Sequence, residues 1–461
     1  MRKKKIAIIG IGYVGLSFAA VLSNCGYKVY AFDIDEKKVD LLNKGKAFFS
    51  EKGLDKLISS GVKKGNLIGS MDFEQFLPKA DIVFSCVGTP DLPDGSSNLT
   101  FIFDVARIVA EFAKEGVVYV QKSTVPVGTG REVMKVVSQE NPKLKFSYVS
   151  NPEFLSEGSA VYDTFMTDRV VLGSDDKKAI DYVLGLYKSI QDCSSIVNLK
   201  DVSDFAHIYR AKQNGENEGF KEVKTSLESA ELIKVTSNAL LSLKISFANS
   251  IALLCDEVGA DINEVMDGVG MDKRIGRSFL YAGRGYGGGC FPKDVSGLIS
   301  VAKKHKVDLP IMDASVCVND QMPEVIVRKT KAKLGDLKGK KVALLGLSFK
   351  PGTSDVRKSP AIKLAQLFID EGCFVCTYDP KAMEEARQDL GDSVVFVDST
   401  EKAVSDSDFV CLATEWPEFT EFDFVKEKKN IADKLIVDCQ NRLDKEKLKV
   451  AGFNYIGVGR N

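Results

Sequence analysis

From residue 5 to about residue 200, short apolar runs alternate with segments of helical period. The runs at 6–9, 29–32, 82–87, 117–121 and 146–149 are near-continuously hydrophobic, as strands buried on both faces are. Strands alternating with helices predict a doubly wound parallel sheet. Over 229–257 the pattern becomes that of one long helix, whose apolar residues (Leu232, Ile233, Leu240, Leu243, Phe247, Ile251 and Leu254) fill more than one stripe. Such a helix requires cover on several sides. A second α/β segment starts near Lys340, with strands expected at 341–345, 374–378, 409–413 and 435–438 and a helix over about 359–371. The predicted fold is α/β: two Rossmann-like parallel-sheet domains, 1–200 and 326–461, joined by a central helical domain at 201–325. The polar stretch 201–224 is rich in turn formers and is expected to be an exposed loop or insertion.

A chain of 461 residues is too long for one core. Its 63 basic and 64 acidic residues leave a net charge of -1, so no global field draws it to nucleic acid or to an anionic membrane. The basic start, Arg2 to Lys5, runs into an apolar stretch carrying glycines and no small-residue cleavage site, which reads as mature cytoplasmic protein. Ten scattered cysteines read as free thiols, with Cys373 and Cys376 structural residues of a strand. Two histidines weigh against a zinc site or a histidine charge relay, so no metal is expected and acid–base work falls to carboxylates, lysine and water.

Chemistry enters at two places. Gly10, Gly12 and Gly15, with Tyr13 and Val14 between them, follow the first strand, open a helix and are followed by Asp33 at the end of the next strand. That context reads as a dinucleotide cradle, and Asp33 would repel a 2′-phosphate, which favours NAD. The second place is the run from Gly285 to Asp294, where one thiol, Cys290, stands on a nearly side-chain-free loop before Lys293 and Asp294. A hydride acceptor together with a covalent thiol suggests oxidation to the acid level. Two further strand ends, with Thr89 and Pro90 and with Ser123 and Thr124, should face the same cleft. The segment 151–158 looks like a helix start capped by Asn151, which would set Glu153 and Glu157 on one face. Lys234 and Asn238, four apart on the long helix, either snorkel or steady an oxyanion. Arg274, Lys350 and Arg357 are surface charges or phosphate grips.

Taken together, these spaced motifs resemble the UDP-glucose/GDP-mannose dehydrogenase family over nearly the whole length. The resemblance implies oxidation of a sugar C6 alcohol to a carboxylate with two NAD and no metal, and the Cys290 and Arg274 segments favour its UDP-glucose branch (UDP-glucose to UDP-glucuronate). It makes Cys290 the nucleophile, Lys234 and Asn238 the oxyanion groups, and Asp294 with Thr124 the water-linked acid and base. Glu153 would assist thioester hydrolysis. Lys38, Thr89, Pro90, Ser123, Glu157, Lys293 and Arg357 would contact the cofactor alongside the glycine cradle and Asp33. Phe154, Leu155, Phe279, Tyr281, Gly283, Gly287, Phe349 and Lys350 would contact the sugar nucleotide, with Arg274 reaching across from a second subunit and the long helix forming the core of a homodimer or higher homo-oligomer. The glycines before Cys290 would let substrate approach the backbone closely. Departures from the family pattern are Gly289, Ser250 and Gln440. Three alternatives remain at this point: the same oxidation on a UDP-N-acetylhexosamine or GDP-mannose, a two-electron β-hydroxyacid-type dehydrogenase, and a catalytically silent NAD-binding protein.

Overall fold

The computed structural model describes residues 4–194 and 219–460, and the chain divides into two compact units. The first comprises Met1–Ser237 with Ser296–Lys306, the second Asn238–Val295 with Val307–Asn461.

In the first unit, strands β1 (Lys5–Ile9), β2 (Lys28–Phe32), β3 (Leu67–Ser70), β4 (Ile82–Ser85), β5 (Val117–Gln121), β6 (Phe146–Ser150), β7 (Arg169–Gly173) and β8 (Lys221–Thr225) form one sheet in the order β3-β2-β1-β4-β5-β6-β7-β8. Alternation of side chains along each strand builds two cores. Ile6 and Ile8 join Leu16, Phe18 and Val183 on one face, while Ala7 and Ile9 join Ile102, Val105 and Val133 on the other. Helices Tyr13–Asn24 and Lys177–Asp192 cover the first face and Thr100–Phe112 and Thr129–Glu140 the second. The expected strands are present, but β3, β7 and β8 were not anticipated. Strand β7 runs antiparallel to β6, so the sheet is not wholly parallel. Strand β8 also corrects the end of the predicted insertion. Its repeated charges hid a strand that pairs with β7. The rest of that stretch, 201–218, lies outside the described residues.

In the second unit, β9 (Lys341–Leu345), β10 (Phe374–Tyr378), β11 (Val394–Phe396), β12 (Ser407–Leu412), β13 (Ile431–Asp438) and β14 (Asn454–Ile456) run parallel in the order β11-β10-β9-β12-β13-β14. Relative to chain order this is the 3-2-1-4-5-6 winding of the first six strands of the other unit. The likeness extends to the first turn: Gly10 N donates to Phe32 O and Gly346 N to Tyr378 O, both at the switch between the first two strands. Here, however, the acid after β10 is spent within the protein. Asp379 accepts from the backbone N–H groups of Leu347 and Ser348 and from the Trp416 indole at 2.8, 3.0 and 3.1 Å.

The long helix spans Leu227–Val258. It alone among helices of the described residues is long and apolar enough to cross a membrane, with a mean hydropathy of 1.4 in its most apolar window. Its charged residues nevertheless bond into the fold, Glu231 to backbone N–H groups, Lys234 to Glu153 and Asp256 to Lys329, as in a core helix. Among the described residues the expected cover is incomplete: Leu240, Phe247 and Leu254 are 56%, 47% and 57% exposed.

Candidate active site

The glycine fingerprint is required by close packing. At Gly10, with φ +90°, a Cβ would lie 2.8 Å from the Cys86 carbonyl carbon, and at Gly15 it would overlap the Gly10 carbonyl. Gly12 faces open space and caps the helix Tyr13–Asn24 without a side-chain acceptor, and a helix start of this kind favours an anion. Asp33 is held at the end of β2 by N–H donors from Ile11 and Asp35, each at 3.0 Å. Tyr13 lies against Phe49 with ring centroids 4.0 Å apart and tilted planes, Val14 is in the first turn of the helix, and Lys38 lies 5.2 Å from the Phe48 ring. An open cradle at a helix start beside a fixed carboxylate fits a dinucleotide with a free adenosine ribose. Behind it, Thr89 Oγ1 donates to Thr124 O at 2.8 Å and Ser123 Oγ to Val87 O at 2.7 Å, which ties the loops after β4 and β5 together. Pro90 is exposed beside Thr89.

The helix expected at 151–158 is absent: the segment is irregular and helix begins only at Ala160–Phe165. Asn151 is not a cap. Its N–H continues the ladder to Gln121 O, its amide donates to Val171 O at 3.0 Å, and its carbonyl accepts from Tyr187 OH at 2.5 Å. Long-range bonding of this buried amide overrides the local capping pattern, so Glu153 and Glu157 do not share a helix face. Glu153 is buried, accepts from Leu155 N at 2.6 Å and lies 3.3 Å from Lys234 Nζ. The Phe154 ring sits between two cations, Lys234 Nζ at 5.1 Å and the Arg169 guanidinium at 3.9 Å. Glu157 is half-buried in the turn before the helix.

In the second unit, Asn238 and Asp294 are both buried, and Asn238 Nδ2 donates to Asp294 Oδ2 at 2.6 Å while Lys293 Nζ meets Asp294 Oδ1 at 2.5 Å. Cys290 is exposed and directly precedes the helix Phe291–Lys304; its carbonyl accepts Asp294 N at 2.9 Å as the first bond of that helix. A helix N-terminus favours negative charge. Each glycine before the thiol is filled by the protein. A Cβ at Gly287 would overlap the Lys358 carbonyl, at Gly288 would lie 2.8 Å from the Phe349 ring, and at Gly289 would lie 2.6 Å from the Arg357 guanidinium. At Gly287, Gly288 and Gly289 the Cβ position is thus taken by the turn after β9, so the lack of a side chain there is required by packing within this unit. Arg357 is itself oriented by a bidentate pair with Asp355 at 2.9 and 2.7 Å.

The remaining substrate candidates are scattered through this unit. Lys350 Nζ lies 5.5 Å from the Phe349 ring. Tyr281 lies between the Arg277 and Arg442 guanidiniums, 4.8 and 5.4 Å from its ring centroid. Phe279 adopts φ 65° and approaches Phe291, Gly283 N donates to Asn249, and Arg274 points into solvent with Asp272 as its partner. Arg284, just before this loop, is the largest fully buried side chain among the described residues and donates to Ala413 O, Ser348 O, Phe349 O and Thr414 Oγ1, which fastens the thiol loop to the ends of β9 and β12.

Sequence reasoning also missed Lys122. It is buried just past β5, donates to Tyr187 OH at 2.8 Å, and lines a cavity of about 20 Å³ with Glu153, Phe154 and Arg169, room for about one water. A lysine ending an otherwise apolar run was the available signal. Cys373 and Cys376 are buried in and beside β10; burial raises both thiols, Cys373 to about 11, as structural cysteines require.

A glycine cradle with a fixed carboxylate beside it, on a chain that also presents an exposed thiol at the start of the helix carrying a buried acid, fits an NAD-dependent dehydrogenase. Residues 4–191, 228–321 and 343–445 match in turn the NAD binding, central and UDP binding domains of one family. The chain belongs to the UDP-glucose/GDP-mannose dehydrogenase family. It is 38% identical to the UDP-glucose 6-dehydrogenase TuaD of Bacillus subtilis, over 99% of this chain and 93% of that one. It is also 38% identical to the UDP-glucose 6-dehydrogenase of Rhizobium meliloti, over 99% of both. A solved UDP-glucose dehydrogenase from Pyrobaculum islandicum superposes with a TM-score of 0.88 at 34% identity, over 100% of this chain and 98% of that one.

Proposed function

We propose that this protein oxidises UDP-glucose at C6 to UDP-glucuronate. The observation that carries the reading is Cys290, exposed at the start of the helix that bears Lys293 and Asp294, the latter bonded to Asn238, in a chain with full-length likeness to UDP-glucose 6-dehydrogenases. Gly10 to Gly15 and Asp33 would hold NAD, which would supply a hydride acceptor for each of the two oxidations. Thr124 and Asp294, through water, take the alcohol proton as the first hydride leaves C6. The Cys290 sulfur then adds to the aldehyde carbon and its proton passes to solvent, giving a thiohemiacetal whose oxyanion is met by Lys234 Nζ and the Asn238 amide. Loss of the second hydride makes a thioester. Water, directed by Glu153, attacks its carbonyl and releases the carboxylate and the thiol. Each turn consumes one alcohol, one water and two oxidant equivalents.

The exposed Leu240, Phe247 and Leu254 recur every seven residues along one side of the long helix and support its use as the core of a homodimer. Arg274, extended into solvent, would serve the partner's sugar-nucleotide site. The three family segments support an NAD-binding domain over 1–200, a central domain over 201–325 and a UDP-sugar domain over 326–461. NADH release from UDP-glucose, UDP-N-acetylglucosamine, UDP-galactose and GDP-mannose tests the substrate, and two NADH per UDP-glucose is the expected count. One NADH, or preference for another sugar nucleotide, overturns the reading. Phe247→Glu should halve the mass in solution.

A further inference from the structure

The helix Thr129–Glu140 begins at Gly128, which has φ +95° and no side chain to cap its first turn. The missing acceptor comes from another element. Glu231, buried on the long helix, accepts Gly128 N at 2.7 Å on one oxygen and Gly130 N at 2.8 Å on the other. No room exists for adjustment: a Cβ at Gly130 would lie 2.8 Å from the Tyr148 ring and 3.0 Å from Glu231 Oε1. Glu231 is three residues before Lys234, on the same side of the helix. The capped turn ends the loop that carries Thr124, a loop also fixed by Thr89 Oγ1 and by the bond of Thr129 N to Pro126 O. Burial pushes the Glu231 carboxyl up to about 7, so this acid is kept in the core at a cost that an ordinary surface cap avoids.

We propose that Glu231 is a positioning residue for the oxidation: by capping the helix after the Thr124 loop from the helix that carries Lys234, it sets the separation of these two groups. The inference rests on the roles given to Thr124 and Lys234 above. A glutamine at this position offers one acceptor and turns an NH₂ toward the other backbone donor, so the loop must shift.

The same two elements are also joined from outside by Arg131, which pairs with Glu228 and Asp175 at exposed positions. Arg131→Ala therefore serves as a control for general loosening. In the full-length enzyme with UDP-glucose and NAD, Glu231→Gln should lower kcat at least about tenfold, with the Kd for NAD held within about twofold. Arg131→Ala should keep the wild-type kcat even where its melting temperature drops. Gly130→Ala crowds the same contact and should reproduce the kcat loss if Glu231→Gln does not fold. Full kcat in Glu231→Gln, or kcat losses in Glu231→Gln and Arg131→Ala that track their losses of melting temperature, overturns the proposal. Full kcat in Lys234→Met would instead remove the role of Lys234 on which it stands.

Discussion

Replacing Lys234 by methionine separates what this lysine does for the fold from what it does for the reaction. Its ammonium lies 3.3 Å from Glu153, and the two side chains are only 5% and 10% exposed. Removing one partner of a fully buried pair costs about 3–5 kcal/mol, because the other charge is left in a poor solvent. Glu153 keeps the Leu155 N–H and some access to water, so the lower end applies, about 3 kcal/mol. Methionine keeps most of the stem's volume, which leaves a small packing term. For a unit of this size the loss corresponds to roughly 6–12 °C in melting temperature. Adding Glu153→Gln removes the stranded charge and should recover at least about 1 kcal/mol, a coupling that unrelated sites do not show. Under the proposed role of Lys234 toward the oxyanion, its loss should lower kcat by roughly 10²–10³, with NAD affinity unchanged. Calorimetry of the single and double variants, with steady-state and cofactor-binding measurements, reads both effects. A melting temperature within about 2 °C of wild type would refute the buried-pair argument; equal losses of rate and NAD affinity would refute the assignment to developing charge.

Cys290→Ser should bind NAD and UDP-glucose normally yet form no UDP-glucuronate, since an alkoxide at this position cannot give a thioester; acid production at the wild-type rate, read by chromatography, contradicts covalent catalysis. Gly287→Ala drives a methyl into the Lys358 carbonyl and to 2.9 Å from Pro360, so it should cost about 1–3 kcal/mol and lower kcat through displacement of Cys290. A soluble variant with unchanged kcat and melting temperature would show that the loop has slack. Glu51 bonds to Gly158 N, and burial pushes its carboxyl up to about 7 from 4.5. The folded state therefore holds a proton that the unfolded state has lost, and stability should fall between about pH 4.5 and 7, by at most about 1.4 kcal/mol per pH unit. Glu51→Gln should flatten that slope, measured by urea unfolding across the range, and an unaltered slope would refute the argument.

Much of the candidate site's layout was legible because its residues sit at positions defined locally. Gly10 to Gly15 and Asp33 occupy consecutive strand ends, and Lys234 and Asn238 project together from one helix, so spacing alone predicts their neighbourhoods. The strand Lys221–Thr225 was not legible: an edge strand with alternating charges carries no hydrophobic signal. The misreading of 151–158 has a different origin. Asn-Pro at a helix start is a local preference worth about 1 kcal/mol, and here the Asn151 side chain forms two buried long-range bonds instead, to Val171 and Tyr187.

Periodicity and glycine spacing by themselves determined two sheets, a long central helix, a dinucleotide cradle and an isolated thiol. Only the tertiary structure decided which groups meet: Glu153 with Lys234, Asp294 with Asn238, Glu231 with the turn at Gly128, and the Cys290 glycines with Phe349 and Arg357. Helical and strand periods are set by backbone geometry within a few residues, whereas these partners lie 56 to 103 residues apart for the bonds made by Asn238 and Glu231. Contacts of that separation depend on how whole elements pack, which no local pattern encodes.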